Sequence, residues 1–257
     1  MPIRVGQIPY LNSEVFYYSM ASQEGIELFP LVPRALSDSA GDGGIDAGPV
    51  PLVTCFELED RFVPLGDYCI ATVEKARSIL LYSKVPVEEL DGATVGVTGE
   101  TSTSVRLLKA LLRHRFGVRP VAYVSLQESS DAFLLIGDEA LRNRNSVEGY
   151  PYRYDLGEEW HQWTGLPFVF ARWMVRKDLP YQTVARLDAL LARSITDGLS
   201  NLGAVAEARR DLGMSPGEIA EYVTSFHYRL GPGEHQAMTL FRDLLSRDPY
   251  IAEPTRS

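Results

Sequence analysis

Two hydrophobic periods share this chain. Short apolar, β-branched runs have the length and residue types of buried strands: Ile3 to Ile8, Leu28 to Val32, Phe62 to Leu65, Cys69 to Val73, Ala76 to Ser83, Thr94 to Thr98, Val121 to Val124, Ala132 to Ile136 and Phe168 to Val175. Tyr154 to Leu156 reads as a further short one. Helical spacing falls between them, at Val15 to Met20, from Pro33, at Leu52 to Leu58, at Glu139 to Arg144 and at Glu158 to Trp163. Ile45 to Pro51 reads as a rigid small-residue segment, Gly66 to Tyr68 as a turn, Pro86 to Leu90 as a linker-like break, and Asn143 to Tyr152 as a polar loop. From Tyr181 onward the pattern turns helical, at Thr183 to Asn201, Ala204 to Leu212, Pro216 to Thr224 and Gly233 to Ser246, with a loose tail after Pro249.

Strands alternating with helices predict a mostly parallel α/β fold. The strand-rich middle, 91–172, is expected to form one lobe. Residues 1–90 and 173–257 are expected to complete a discontinuous other lobe with a helical C-terminal part, leaving a ligand cleft between the lobes. No internal repeat is visible.

The stretch Thr94 to Phe116 organises the rest. A strand-like run ends in Gly99-Glu100-Thr101-Ser102-Thr103-Ser104, and then Val105, Leu108, Leu111, Leu112 and Phe116 lie on one helical stripe. The first N–H groups of a helix lack intrahelical partners and its dipole is positive there. Four hydroxyl residues at such a corner can hold a carboxylate or phosphate, or Thr101 or Ser102 can simply cap the helix. Both readings stay open on this stretch alone. Asn12, after the first strand, sits where ligands bind in open α/β sheets, and is equally a turn residue or cap.

The 257 residues suffice for one large or two smaller cores, and a net charge of -9 argues against general nucleic-acid or anionic-membrane binding. A small anion feels only its pocket. Cys55 and Cys69 read as buried thiols. No segment reaches the ~18 consecutive apolar residues of a membrane span, and Met1 to Gly6 lacks an export signal, so a cytoplasmic, soluble protein is expected. Phosphate-loop, dinucleotide, nucleophile-elbow and zinc-helix motifs are all missing. Of the four histidines, His114 is expected in solvent. His161, between Trp160 and Trp163, is the one candidate acid or base, with packing as the competing reading. Arg77, Arg106 and Arg172 could meet ligand carboxylates or make ordinary ion pairs. Composition and spacing thus point to a two-lobed binder of a small anion without supplying a reaction.

Seven motifs in order carry a resemblance: Pro9-Tyr10-Leu11-Asn12-Ser13, Gly44 to Pro51, Ala76 to Leu81, Thr98 to Ser104, Phe133 to Asp138, Tyr154 to Trp160 and Thr164 to Ala171. Over residues 3 to 178 the chain resembles the menaquinone-biosynthesis family of the futalosine pathway, on its chorismate-dehydrating branch. The resemblance implies a periplasmic-binding-protein type II-like fold in a cytoplasmic enzyme. It further implies that chorismate, a small dicarboxylate, loses water to give 3-[(1-carboxyvinyl)oxy]benzoate, with no cofactor and no metal. It assigns Asn12 and Ser78 as catalytic. Tyr10, Ser13, Gly48, Pro49, Arg77, Thr101, Ser102, Thr103 and Gly137 are the substrate-binding candidates. A homodimer stays open; nucleic-acid and membrane partners are not expected. The alternatives are the 1,4-dihydroxy-6-naphthoate synthase of the same pathway and a non-catalytic carboxylate-binding protein.

Overall fold

The computed structural model describes residues 2–252. Its strands are β1 (Ile3–Gln7), β2 (Ile26–Pro30), β3 (Ala47–Pro51), β4 (Phe62–Thr72), β5 (Ile79–Ser83), β6 (Thr94–Val97), β7 (Ala122–Ser125), β8 (Ala132–Ile136), β9 (Tyr152–Asp155), β10 (Phe168–Arg176) and β11 (Phe226–Arg229). They form a six-stranded sheet, β11-β4-β10-β3-β1-β2, and a five-stranded sheet, β7-β6-β8-β5-β9. The chain divides into two compact units, residues 1–71 with 169–231 and residues 72–168 with 232–257.

These limits differ from the expected 1–90 with 173–257 and 91–172, for two reasons. β5 is hydrogen-bonded between β8 and β9, which carries residues 79–83 into the second unit. The helix Pro232–Arg247 inserts Phe241 against Phe168 and Trp160, with ring centroids 5.0 and 6.0 Å away, so it joins that unit too.

Each sheet contains the same parallel triple. β1 lies between β2 and β3, parallel to both, and β6 lies between β7 and β8, parallel to both. The chain steps to one side of the middle strand and then to the other, so each triple has a topological switch point at its C-terminal edge. The likeness is one of topology and left no repeat in the sequence.

Local differences from the sequence pattern have physical causes. Ala47–Pro51 is a fully buried strand despite two prolines. All five residues pair with β10, whereas pairing with β1 is registered only at Val5–Ala47. Alternate residues of a strand point their N–H groups to the same neighbour, so Gly48 and Val50 can serve β10 while Pro49 and Pro51 sit where the β1 ladder has ended. β4 runs unbroken through the expected turn, bending at Gly66 with φ 54°. β5 starts at Ile79 instead of Ala76. β11, within the helical C-terminal stretch, buries Phe226 and Tyr228 and exposes His227 and Arg229.

The helix Thr103–Ala110 is buried on every side, Arg106 and Lys109 included, where the pattern shows one apolar stripe. The Lys109 Nζ lies 5.1 Å from the Tyr123 ring and 5.3 Å from that of Tyr250. Tyr250 belongs to a short helix, Pro249–Ala252, whose Ile251 is fully buried. The chain just after Pro249 is therefore packed, not loose, and the rest of that tail, 253–257, lies outside the described residues. In the first unit, Phe16 packs edge-on against Trp173 and Tyr228 at 5.5 and 5.4 Å. Burying large rings in T-shaped pairs gives each unit its own core.

Candidate functional site

In the first unit the chain leaves β1 through Pro9 and Tyr10 into a 3-10 turn, Leu11–Ser13, and the short helix Glu14–Tyr17. Burial of Leu11, Val15 and Phe16 pulls this loop onto the sheet. The Ser13 Oγ lies 2.6 Å from the Ile8 carbonyl oxygen and 2.8 Å from that of Tyr10, so the loop's own backbone holds its proton. The Tyr17 hydroxyl donates to the Gly6 carbonyl and accepts from the Ile8 N–H, both at 3.2 Å. Burial raises its pKa well above the usual phenol value and keeps it neutral. Asn12 is buried and its Oδ1 has no hydrogen-bond partner. A buried acceptor without a partner costs about 1–3 kcal/mol, so this side chain is poised for a donor that the fold does not supply.

Gly48 and Pro49 lie on β3 beside this loop. A Cβ at Gly48 would sit 3.1 Å from the Gly6 carbonyl oxygen and 3.3 Å from the Gly6 nitrogen. The close approach that requires glycine is thus made by β1. Pro49 faces Trp173 across the β3–β10 pair. Trp173 is fully buried and its Nε1 has no partner, a feature without any signal in the sequence.

In the second unit, strand pairing alone brings four candidate segments to one edge. β6 and β8 run parallel, so Thr98 to Ser104 and Gly137 emerge at the same end. β5 is antiparallel to β8 and begins there, with Arg77 and Ser78 just before it. β9 is antiparallel to β5, so Asp155 ends there too.

At that edge Thr101, Ser102, Thr103 and Ser104 are all buried. Ser102 occupies the N-cap position of the helix yet makes no capping hydrogen bond through its side chain. The Thr101 Oγ1 is buried without a partner. Thr98 takes up local work instead, its Oγ1 accepting from the Glu100 N–H at 3.2 Å. The capping reading of this turn therefore fails for Thr101 and Ser102, and an anion site remains consistent with its geometry. Arg106, one turn in, donates from a guanidinium nitrogen to the Ser102 carbonyl at 3.1 Å.

Arg77 is the only non-glycine among the described residues with positive φ, at 58°. A residue with a Cβ in that region costs about 1–2 kcal/mol. The Asp155 carboxylate holds it there, accepting from the Ala76 N–H at 2.9 Å and the Arg77 N–H at 2.6 Å. The same carboxylate caps the helix Leu156–Thr164 through the N–H groups of Gly157 and Glu158. Burial pushes its pKa up, against four backbone donors that favour the charged form. Ser78 is buried, and its carbonyl accepts from the Gly137 N–H at 2.8 Å. Gly137 has φ 58°, so two left-handed residues flank the start of β5. Thr72 adds another buried hydroxyl without a partner. Asp155 and Thr72 escaped sequence reasoning because one lay in an apparent strand and the other in an apolar run.

Other polar groups have structural work, Arg172 least of them, since its Nε is buried without a partner. The His161 Nδ1 lies 3.3 Å from the Leu166 carbonyl oxygen, and Leu166 follows the end of its helix. His114 is not in open solvent: its Nε2 is 3.2 Å from Asp248 and its ring stacks on Trp163. Arg172 comes within 4.0 Å of Asp67. Cys55 and Cys69 are buried thiols outside any disulfide, and burial pushes the Cys55 thiol up to about 12. Asp46 anchors the N-terminal edge of the first triple: Arg4 donates to it from Nε at 3.1 Å and from a guanidinium nitrogen at 2.8 Å, and Arg176 at 3.1 Å. Burial opposes its charge, but these partners outweigh it and hold the pKa below the usual value.

A family model described as menaquinone biosynthesis matches residues 3–247. A chorismate dehydratase of Thermus thermophilus is 30% identical over 242 residues, covering 86% of this chain and 88% of that protein. A 1,4-dihydroxy-6-naphtoate synthase of the same organism is 23% identical, covering 95% and 94%. Among solved structures, the periplasmic aliphatic sulphonate binding protein SsuA of Escherichia coli superposes with a TM-score of 0.63 at 15% identity, covering 99% of this chain and 94% of that one. That likeness shows the fold: it is of the periplasmic-binding-protein class, as the resemblance implied.

Proposed function

The chain belongs to the menaquinone-biosynthesis family, and from that membership we propose that it removes water from chorismate to give 3-[(1-carboxyvinyl)oxy]benzoate. The observation that carries the reading is the 30% identity to a chorismate dehydratase along most of both chains, against 23% to the naphthoate synthase. The enzyme is on this reading a carbon–oxygen lyase acting in the cytoplasm.

The chemistry suits the groups described. The ring carbon bearing the enolpyruvyl ether loses its proton and the neighbouring carbon loses hydroxide. Together they leave as water, and the electron pair of the broken C–H bond completes the aromatic ring. Carbon is neither oxidised nor reduced overall, so the step needs no external electron acceptor. Aromaticity supplies the driving force, and the protein has to orient the ring and stabilise developing charge. Asn12, a neutral amide, is a positioning and hydrogen-bonding group and not a base. Ser78 is assigned to a substrate carboxylate or to the departing hydroxyl. The hydroxyls and first N–H groups at Thr101 to Thr103 are assigned to a carboxylate, with Tyr10, Arg77 and Pro49 as further substrate contacts. Ser13, Gly48 and Gly137 contribute through the backbone they hold. The proton acceptor is assigned to one of the substrate's own carboxylates, since the one candidate histidine, His161, faces a backbone carbonyl.

The test is direct. Purified protein with chorismate, in buffer containing a metal chelator and no added cofactor, is expected to yield a product lighter by one water in the mass spectrum. Unchanged chorismate, alongside turnover of a cyclic futalosine derivative, would transfer the assignment to the naphthoate synthase branch.

A further inference from the structure

We propose that Asp155 is the positioning residue of the second unit, holding the turn Ala76–Ser78 in the one conformation that presents Ser78. The proposal rests on the reading above for what Ser78 acts on, but its geometry stands by itself.

The turn is strained at Arg77, the single described non-glycine residue in the left-handed region. Arginine lacks the short polar side chain by which asparagine or aspartate offsets that conformation with a local hydrogen bond. The hold is external. One Asp155 oxygen accepts from Arg77 at 2.6 Å, while the other accepts from Ala76, Gly157 and Glu158. The helix that follows presses on the same turn: a Cβ on Gly157 would come within 2.8 Å of the Ala76 nitrogen. At its other end the turn is pinned by the Gly137 N–H on the Ser78 carbonyl at 2.8 Å. Ser78 is thus clamped on both sides by groups that are not neighbours in sequence. Strain kept in place by its surroundings is a feature of sites that need a preset geometry.

The division of labour between the two carboxylate oxygens supplies the experiment. Asp155→Asn can keep its carbonyl oxygen on Ala76, Gly157 and Glu158, and asparagine is a good helix cap. Its amide nitrogen then faces the Arg77 N–H, so the bond lost is the one to the strained residue itself. With chorismate as substrate, kcat is expected to fall about a hundredfold, the scale of a small misplacement at a reacting centre. KM and Tm should stay close to the wild-type values. Arg77→Gly removes the strain, since glycine enters this region freely. In that background Asp155→Asn should cost less than about threefold, a non-additivity that a plain helix-capping role would not produce.

Wild-type kcat in Asp155→Asn, or an equal penalty in both backgrounds, would overturn the proposal. So would a fall in Tm with kcat per folded molecule unchanged. Amide exchange separates this from the proposed function. If wild-type protein leaves chorismate untouched, the function fails. Protection of the Arg77 amide then decides the positioning role: its loss in Asp155→Asn supports the clamp, and its survival sinks it.

Discussion

The loop after β1 and the turn after β6 occupy the same place in their own sheets, at the C-terminal edge of the middle strand of a parallel triple. They use that place differently. After β1, the hydroxyls of Ser13 and Tyr17 are engaged by carbonyls of the same loop and strand, and one amide oxygen, on Asn12, is left without a partner. After β6, Ser102 makes no cap and the Thr101 hydroxyl has no partner, at the start of an eight-residue helix. The first segment is a rigid mount for a single polar atom. The second is a buried array of neutral hydroxyls beside a helix dipole. A fold retains buried unsatisfied groups where binding supplies the missing partner, because each otherwise lowers stability.

The comparison breaks most visibly at Asn12. Asn12→Ala should lower kcat on chorismate by about a hundredfold, as deleting one positioned hydrogen-bonding group does elsewhere. Thermal unfolding should barely move, because the Oδ1 makes no bond within the protein. A kcat near wild type would make the unpartnered oxygen an idle one. Gly48→Ala should act the other way round. Its Cβ meets β1 backbone at 3.1 Å, so we expect a loss of about 2 kcal/mol in stability by denaturant titration. A stable Gly48→Ala protein with a raised KM would show that the glycine clears space for substrate instead.

Thr101→Val sharpens the account of the second segment. The substitution keeps shape and removes a hydroxyl that the fold does not use, so Tm should hold or rise. KM should increase about tenfold, equivalent to about 1.4 kcal/mol of binding. An unchanged KM would remove Thr101 from the anion site. The smallest expected effect is that of Ser13→Ala, about 1 kcal/mol of stability from a lost buried hydrogen bond. Its kcat per folded molecule should change less than that of Asn12→Ala, and the opposite order would reverse the roles given to these neighbours.

Much of this was legible in the chain itself. β-branched runs and helical stripes set the α/β class, because buried strands and amphipathic helices impose periods that composition has to obey. The helix Pro216–Thr224 matches its expected limits, since a capping box at Ser215 and Glu218 and a proline at the first position are local signals. Thr94 to Phe116 was readable as strand, turn and helix from its periodicity alone, without a cap signal, and the pattern showed one apolar stripe where the helix Thr103–Ala110 is buried all round. The family, too, lay in the order of the motifs.

What the chain did not disclose depends on partners distant in sequence. β11 hid among helices because four residues carry too little periodicity. The limits of the units followed from β5 pairing with β8 and β9 and from Phe241 finding Trp160 and Phe168. Asp155 read as the middle of a short strand, and only folding brought its carboxylate to Arg77, 78 positions away. Local sequence determines which conformations a segment prefers. Which buried polar atoms are satisfied, and which are left for a ligand, is decided only when segments from different parts of the chain meet.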